Sequence, residues 1–157
     1  FPDSALVIEE DNSTYSSGFL KNEFIEGNHN LDIAKAKILC SGGRGLKNAK
    51  NFFLLEELAQ YLNGCVGGSR VAVEQGWTSF PHQVGLSGKT VSPEFYIALG
   101  ISGAIQHLAG MQTSRYIIAI NRDPEAQIFH LADFGIVGDV LEILPQVIRI
   151  LKQRKNK

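Results

Sequence analysis

The chain holds few of the residues that would settle its chemistry at once. Among its 157 residues there are two cysteines, Cys40 and Cys65, too few for a disulfide framework and in no metal-ligand spacing. Both sit beside apolar residues, as buried thiols do, which points to a reducing compartment. An excess of either charge is also missing. The net charge is −1, so no global field favours nucleic acid or an anionic membrane. No apolar run reaches the roughly 18 residues needed to span a bilayer. The opening "FPDSALVIEE" lacks a signal-peptide pattern, and a start at Phe1 rather than Met suggests a processed piece or an expressed fragment. His29, His82, His107 and His130 form no metal spacing, so no metal is expected. Without a G-x-S-x-G elbow or a legible nucleophile–base pair, hydrolase chemistry is disfavoured and no catalytic residue is assigned.

What is present is a globular composition, with 44% hydrophobic and 20% charged residues, sized for one domain with a real core. Residues 1–35 hold one apolar stretch, "ALVIEE", and then an Asn/Ser/Gly-rich segment without sustained period, expected to be an irregular arm or linker. From residue 36 to 157 the pattern is that of a folded domain. "KILCS", "CVGGSR", "EFYIALG", "RYIIAIN" and "GIVGD" read as short buried strands. Between them lie helical patterns: "NAKNFFLLEELAQYLNG" with Gly64 as its stop, "VAVEQGW" ended by Gly76, and "SGAIQHLAGM" opened by Ser102 and Gly103. A closing amphipathic helix, "DVLEILPQVIRILKQ", carries Pro145 as an expected kink, and "KQRKNK" reads as a solvated basic end. Alternating strands and helices imply an α/β fold, doubly wound, with a mostly parallel sheet and helices on both faces.

In such sheets ligands sit beyond the carboxyl ends of the strands. Four of those ends here are small or polar: "SGGRG", "GGSR", "GISG" and "AINRD". In Ser41–Gly45, missing side chains would let backbone N–H groups approach a phosphate, with Arg44 adding a charged bond; a tight turn with a surface arginine is the alternative. The spacing fits neither G-x-x-x-x-G-K-[ST] nor G-x-G-x-x-G. "GISGAIQH" repeats the device, and two such loops favour a pyrophosphate over a monophosphate. Arg70 reads either as a cation over a bound ring or phosphate or as half of a surface salt bridge. His107 reads as a core histidine or a ligand group, and Asp133 as a ribose contact or a turn residue.

Taken together, "SGGRGLK", "GGSRVAVEQGW", "QVGLSGKTVSPEFYIALGISGAIQHLAGM" and "IIAINRDPEAQIFHLADFGIVGD" closely resemble the C-terminal, FAD-binding domain of the electron-transfer flavoprotein alpha subunit. The resemblance spans about residues 36–152. It implies a Rossmann-like domain that holds FAD, completed by an electron-transfer flavoprotein beta subunit, with flavoprotein dehydrogenases such as the acyl-CoA type as donors and a quinone-linked oxidoreductase or similar acceptor. It implies a cytoplasmic site if bacterial and the mitochondrial matrix if eukaryotic. Arg70 matches the arginine lying against the isoalloxazine ring, Ser87 the hydroxyl facing flavin N5, and His107 the histidine directed at the O2/N1 edge. Arg44, Ser69, Ser102, Asn121 and Asp133 match positions along the pyrophosphate, ribose or adenosine. Gln83, Val84, Gly85, Gly88, Gly100, Gly103, Ala104 and Gln106 complete the matched motifs and are expected at the same cofactor. Leu86-Ser87 departs from the family's Gln-Thr, keeping the hydroxyl and losing an amide. A cation or donor near N1 and O2 favours the reduced flavin, so Arg70 and His107 are expected to tune its potential with no proton-transfer step. Other classes consistent with the residues are a structural or regulatory nucleotide-binding module and a nicotinamide-nucleotide domain of similar architecture.

Overall fold

A computed structural model of the chain describes residues 32–156; the "ALVIEE" stretch and His29 lie outside them. All five expected strands form: β1 (Ile38–Gly42), β2 (Cys65–Gly68), β3 (Phe95–Leu99), β4 (Tyr116–Asn121) and β5 (Phe134–Val137). They make one sheet in the order β2-β1-β3-β4-β5, every neighbour parallel. The helices are α1 (Phe52–Leu62), α2 (Arg70–Glu74), α3 (Ile105–Leu108) and α4 (Val140–Lys155). The chain leaves β1 toward β2 on one side and reaches β3 on the other. Beyond β1 and β3 the connections therefore diverge, and a crevice opens at their carboxyl ends.

Strand alternation divides the core into two layers. Cys40, Ile97, Leu99 and Ile120 face α1 and α4, packing against Leu55, Leu58, Ile143 and Leu144. Leu39, Tyr96, Ala98, Ile117 and Ala119 face the opposite way, against Val84, Met111, Ile128 and Phe129. Ile33, just ahead of β1 in a 3-10 turn capped by Asp32, is buried in that second layer. Cys40 and Cys65 are both free and lie in different layers.

Element ends differ from expectation in three places. The α1 segment starts with a separate 3-10 turn at Ala49–Asn51, capped by the Asn48 side chain. Its end is set by Asn63, which takes the left-handed conformation (φ 55°), while Gly64 instead gives room for the carbonyl of Ile38. Helix α3 begins only at Ile105, with no side-chain cap, so Ser102 and Gly103 precede it as open loop. Helix α4 runs on through Pro145, with Asp139 accepting from the Leu141 N–H at its start.

Candidate functional site

The loops after β1, β2, β3 and β4 converge on a cleft of about 570 Å³ at the carboxyl end of the sheet, within the size range of cofactor sites. Every expected site residue lines it except Gln83, Gly88 and Asp133. The charge on its walls is one-sided: Arg44, Lys47, Arg70 and Arg122 against one carboxylate, Asp139. A polyanion is the ligand such a wall suits.

The glycines of the first loop act differently from the sequence expectation. The Gly43 N–H donates to the Leu99 carbonyl at 3.0 Å and the Gly45 N–H to the Gly100 carbonyl at 3.0 Å. These donors join the β1 and β3 loops rather than face a phosphate. A Cβ at Gly43 would lie 2.6 Å from the Gly100 carbonyl oxygen, and one at Gly45 2.7 Å from the Gly100 Cα. Gly100 itself has φ +67°, so the junction needs glycine for both space and conformation. The second loop keeps free donors: among the described residues, the N–H groups of Ser102, Gly103 and Ala104 make no hydrogen bond. After β3 three successive N–H groups are therefore free, whereas the β1 loop keeps only that of Arg44 between two committed glycines.

One side chain of the β1 loop is held by an unusual backbone. Lys47 has φ 72° and ψ −35°, bridged by a hydrogen bond from the Asn48 N–H to the Leu46 carbonyl at 2.8 Å. This is a γ-turn with positive φ, a strained conformation for a residue with a side chain. The Asn51 amide also donates to the Leu46 carbonyl, at 2.6 Å.

Beside β2, Ser69 caps α2 by accepting from the Ala72 N–H at 3.2 Å, and Arg70 occupies the first helical position. Arg70 lines the cleft and also forms the surface salt bridge, its Nε pairing with Glu74 at 2.8 Å, both side chains being more than half exposed. Gln83 is buried behind the wall and donates its amide to Ser87 Oγ at 2.8 Å. The Ser87 oxygen is then an acceptor on the inner side, and its own proton is left for the cleft. A Cβ at Gly88 would fall 2.4 Å from the Gln83 carbonyl oxygen, so Gly88 serves the loop's closure. Asn121 lines the cleft, but its amide ties the β3 and β4 loops together by donating to the Ile101 carbonyl and accepting from the Asp123 N–H.

Asp133 requires correction. It precedes β5, at the far end of the sheet, where its carboxylate accepts from the Ile117 N–H at 2.8 Å. The carboxylate at the cleft is Asp139, which follows β5 and caps α4. The rule that ligands lie past strand carboxyl ends favours the residue after "GIV" over the one before it; that signal was in the sequence. Arg122 and Lys47 were also missed, although both stand in the quoted "AINRD" and "SGGRGLK" motifs.

His107 is a wall residue and a buried one, 7% exposed. Its Nε2 lies 2.8 Å from Tyr96 Oη, and its Nδ1 is buried without a hydrogen-bond partner. Burial pulls its pKa down to about 4, so it is neutral at physiological pH and offers a donor or acceptor, not a charge. His82 lies elsewhere, its Nδ1 bonded to the Val66 carbonyl at 2.8 Å. Among the described residues no group of His, Cys, Asp or Glu is arranged to hold a metal ion. No helix among them is long and apolar enough to cross a membrane.

Residues 32–112 match the family model described as the electron transfer flavoprotein FAD-binding domain. Over 149 residues, 95% of its length, the chain is 49% identical to the mitochondrial electron transfer flavoprotein subunit alpha of Dictyostelium discoideum, covering 41% of that protein. It is 58% identical over 123 residues to protein FixB of Clostridium saccharobutylicum, covering 78% of the chain and 37% of the relative. With the electron transfer flavoprotein subunit alpha of Mycobacterium leprae it shares 54% over 125 residues, 80% of the chain and 39% of the relative. The chain thus spans about two fifths of the length of these relatives. A parallel sheet with an anion-suited cleft at its switch point, and motifs shared at this level, make the chain a member of the electron transfer flavoprotein alpha-subunit family, in its FAD-binding domain.

Proposed function

We propose that the chain is the flavin-holding part of an electron carrier that passes electrons from flavoprotein dehydrogenases to a downstream acceptor, working as a heterodimer with a beta subunit. FAD is the cofactor of this family's domain, and the residues present fit it. The fit rests on the four-cation wall, the glycine junction that would not admit a Cβ, the unbonded N–H groups of Ser102 to Ala104, and the partnerless His107 Nδ1. Bound FAD supplies reversible one- and two-electron acceptance at its isoalloxazine ring.

The protein's own part is binding, orientation and electrostatics. Arg44 and the Ser102–Ala104 loop would hold the pyrophosphate, through one guanidinium and a set of oriented backbone donors. Asn121 and Asp139, on the β4 and β5 side of the cleft, would meet the adenosine half, Asp139 with one carboxylate oxygen fixed by its helix cap. Arg70, Ser87 and His107, which line the cleft together, would face the ring. Arg70 carries the permanent charge there, and neutral His107 contributes a hydrogen bond. The two groups expected to tune the potential therefore do so by different means. The folded FAD-binding unit, read from the sequence as 36–157, takes in Ile33 as well, whose side chain is buried in the second core layer. A quinone-linked oxidoreductase fits as acceptor, with the bacterial cytoplasm or the mitochondrial matrix as the compartment.

The observation that carries this reading is the cleft at the β1 and β3 loops, whose wall holds four cations against one carboxylate. Calorimetric titration with FAD and, separately, with NAD(H), each with and without a beta subunit, tests it. Heat and a yellow, flavin-absorbing protein are expected with FAD. No heat with FAD in either setting, or a preference for NAD(H), overturns it.

A further inference from the structure

Tyr96 is the largest of the side chains buried essentially completely in this fold. Strand alternation in β3 turns it into the apolar layer shared with Leu39 and Ile117, where phenylalanine would fill the same volume without a polar atom. Its hydroxyl makes one hydrogen bond, the 2.8 Å contact with His107 Nε2. The two rings meet edge-on, their centroids 6.0 Å apart and their planes at 62°. Ser41, in register two residues further along β1, presents a buried Oγ that makes no hydrogen bond. The Ser41 hydroxyl is close enough to work weakly against the rise that burial gives the Tyr96 pKa, but the hydrogen bond of good geometry is the one to His107 Nε2.

A phenol is a good O–H donor and a poor acceptor, whereas the unprotonated nitrogen of a neutral imidazole is a good acceptor. Neutral histidine carries its proton on one nitrogen only, and the bond made by the other decides which. Burial of His107 excludes the water that would otherwise let both forms coexist. We propose that Tyr96 is a positioning residue: it donates to His107 Nε2 and so fixes the Nδ1–H tautomer, holding the imidazole in one orientation in the wall of the cleft. The effect on cofactor binding rests on the FAD reading above; the tautomer does not.

The test uses the whole chain, labelled with ¹⁵N and observed at pH 7.5 by long-range ¹H–¹⁵N correlation, which separates the two histidine tautomers. The wild-type protein without FAD should show His107 as Nδ1–H alone. Tyr96→Phe should give a mixture containing Nε2–H and weaken FAD binding about tenfold, the effect of losing one well-placed hydrogen bond. Ser41→Ala, which removes the other hydroxyl beside Tyr96 and leaves the Tyr96–His107 hydrogen bond, should keep the wild-type tautomer and affinity. An Nε2–H signal in the wild type overturns the proposal, even if Tyr96→Phe fails to fold. An unchanged tautomer and affinity in folded Tyr96→Phe also overturns it. A wild-type protein with Nδ1–H that gives no heat with FAD would instead sink the FAD reading and leave the tautomer assignment in place.

Discussion

Acidification should destabilise this domain through one side chain, His107. Its pKa falls from 6.5 to about 4 on folding because burial disfavours the imidazolium. Between those values the unfolded chain binds a proton that the native state refuses, so stability must rise with pH there and fall on acidification. From these two pKa values the loss between pH 7.5 and pH 4.5 is roughly 2–3 kcal/mol, levelling off below both. For a domain of this size that is roughly 8–12 °C in melting temperature. Asp32 belongs to another window: its carboxyl is held below 3.8 by the Lys89 hydrogen bond, so its contribution is lost only at more acid pH. Urea unfolding can be followed through the single tryptophan, Trp77, which packs 6.2 Å from the Phe52 ring. The comparison is wild type against His107→Gln, a neutral side chain at every pH. The wild type should lose roughly 2–3 kcal/mol more than the variant between pH 7.5 and pH 4.5. Parallel profiles for the two proteins would refute the reasoning, because the proton uptake would then belong to other groups.

Other perturbations probe the rest of the site. Gly100→Ala should cost about 2–4 kcal/mol, since its φ is +67° and its new Cβ would lie 2.8 Å from Gly45 Cα; a melting temperature within a degree of wild type would contradict the close junction. Lys47→Gly should gain up to about 1 kcal/mol by relieving the positive φ, less the entropy cost of glycine, and a drop in denaturant midpoint would argue against strain there. Arg70→Ala should leave stability within about 0.5 kcal/mol, because its pair with Glu74 is exposed. In the flavin-loaded protein the same change should lower the potential by roughly 60 mV, a third of the roughly 4 kcal/mol between charges 4 Å apart at an effective dielectric near 20. Spectroelectrochemistry showing an unchanged potential would remove Arg70 from the ring side.

Much of the fold was legible because its signals are local. Each strand is a short apolar run closed by small residues, and each strand–helix alternation restricts the topology to parallel pairing. "RYIIAIN" and "GIVGD" needed no tertiary information to be read as strands, and Arg44, Arg70 and His107 could be placed near the strand ends from order alone. Asp133 was misassigned because a carboxylate beside a strand is equally natural at either end; only the strand's direction relative to the cleft separates it from Asp139. Gln83 was placed one layer too far forward, since a buried amide supporting Ser87 and an exposed amide touching a ligand look alike in sequence.

By itself, then, the sequence determined the order of strands and helices, the glycine-rich strand ends and the cationic residues among them, because propensity and hydrophobic period act over a few neighbouring residues. The tertiary structure decided what those residues do. It committed the Gly43 and Gly45 N–H groups to the β3 loop and left those of Ser102 to Ala104 free. It brought Lys47, Arg122 and Asp139 to the same cleft and sent Asp133 to the other end of the sheet. It also made His107 neutral, by placing it under cover beside Tyr96. Hydrogen-bond partners and solvent exclusion come from segments far apart in the chain, so protonation and donor availability follow from packing and not from spacing.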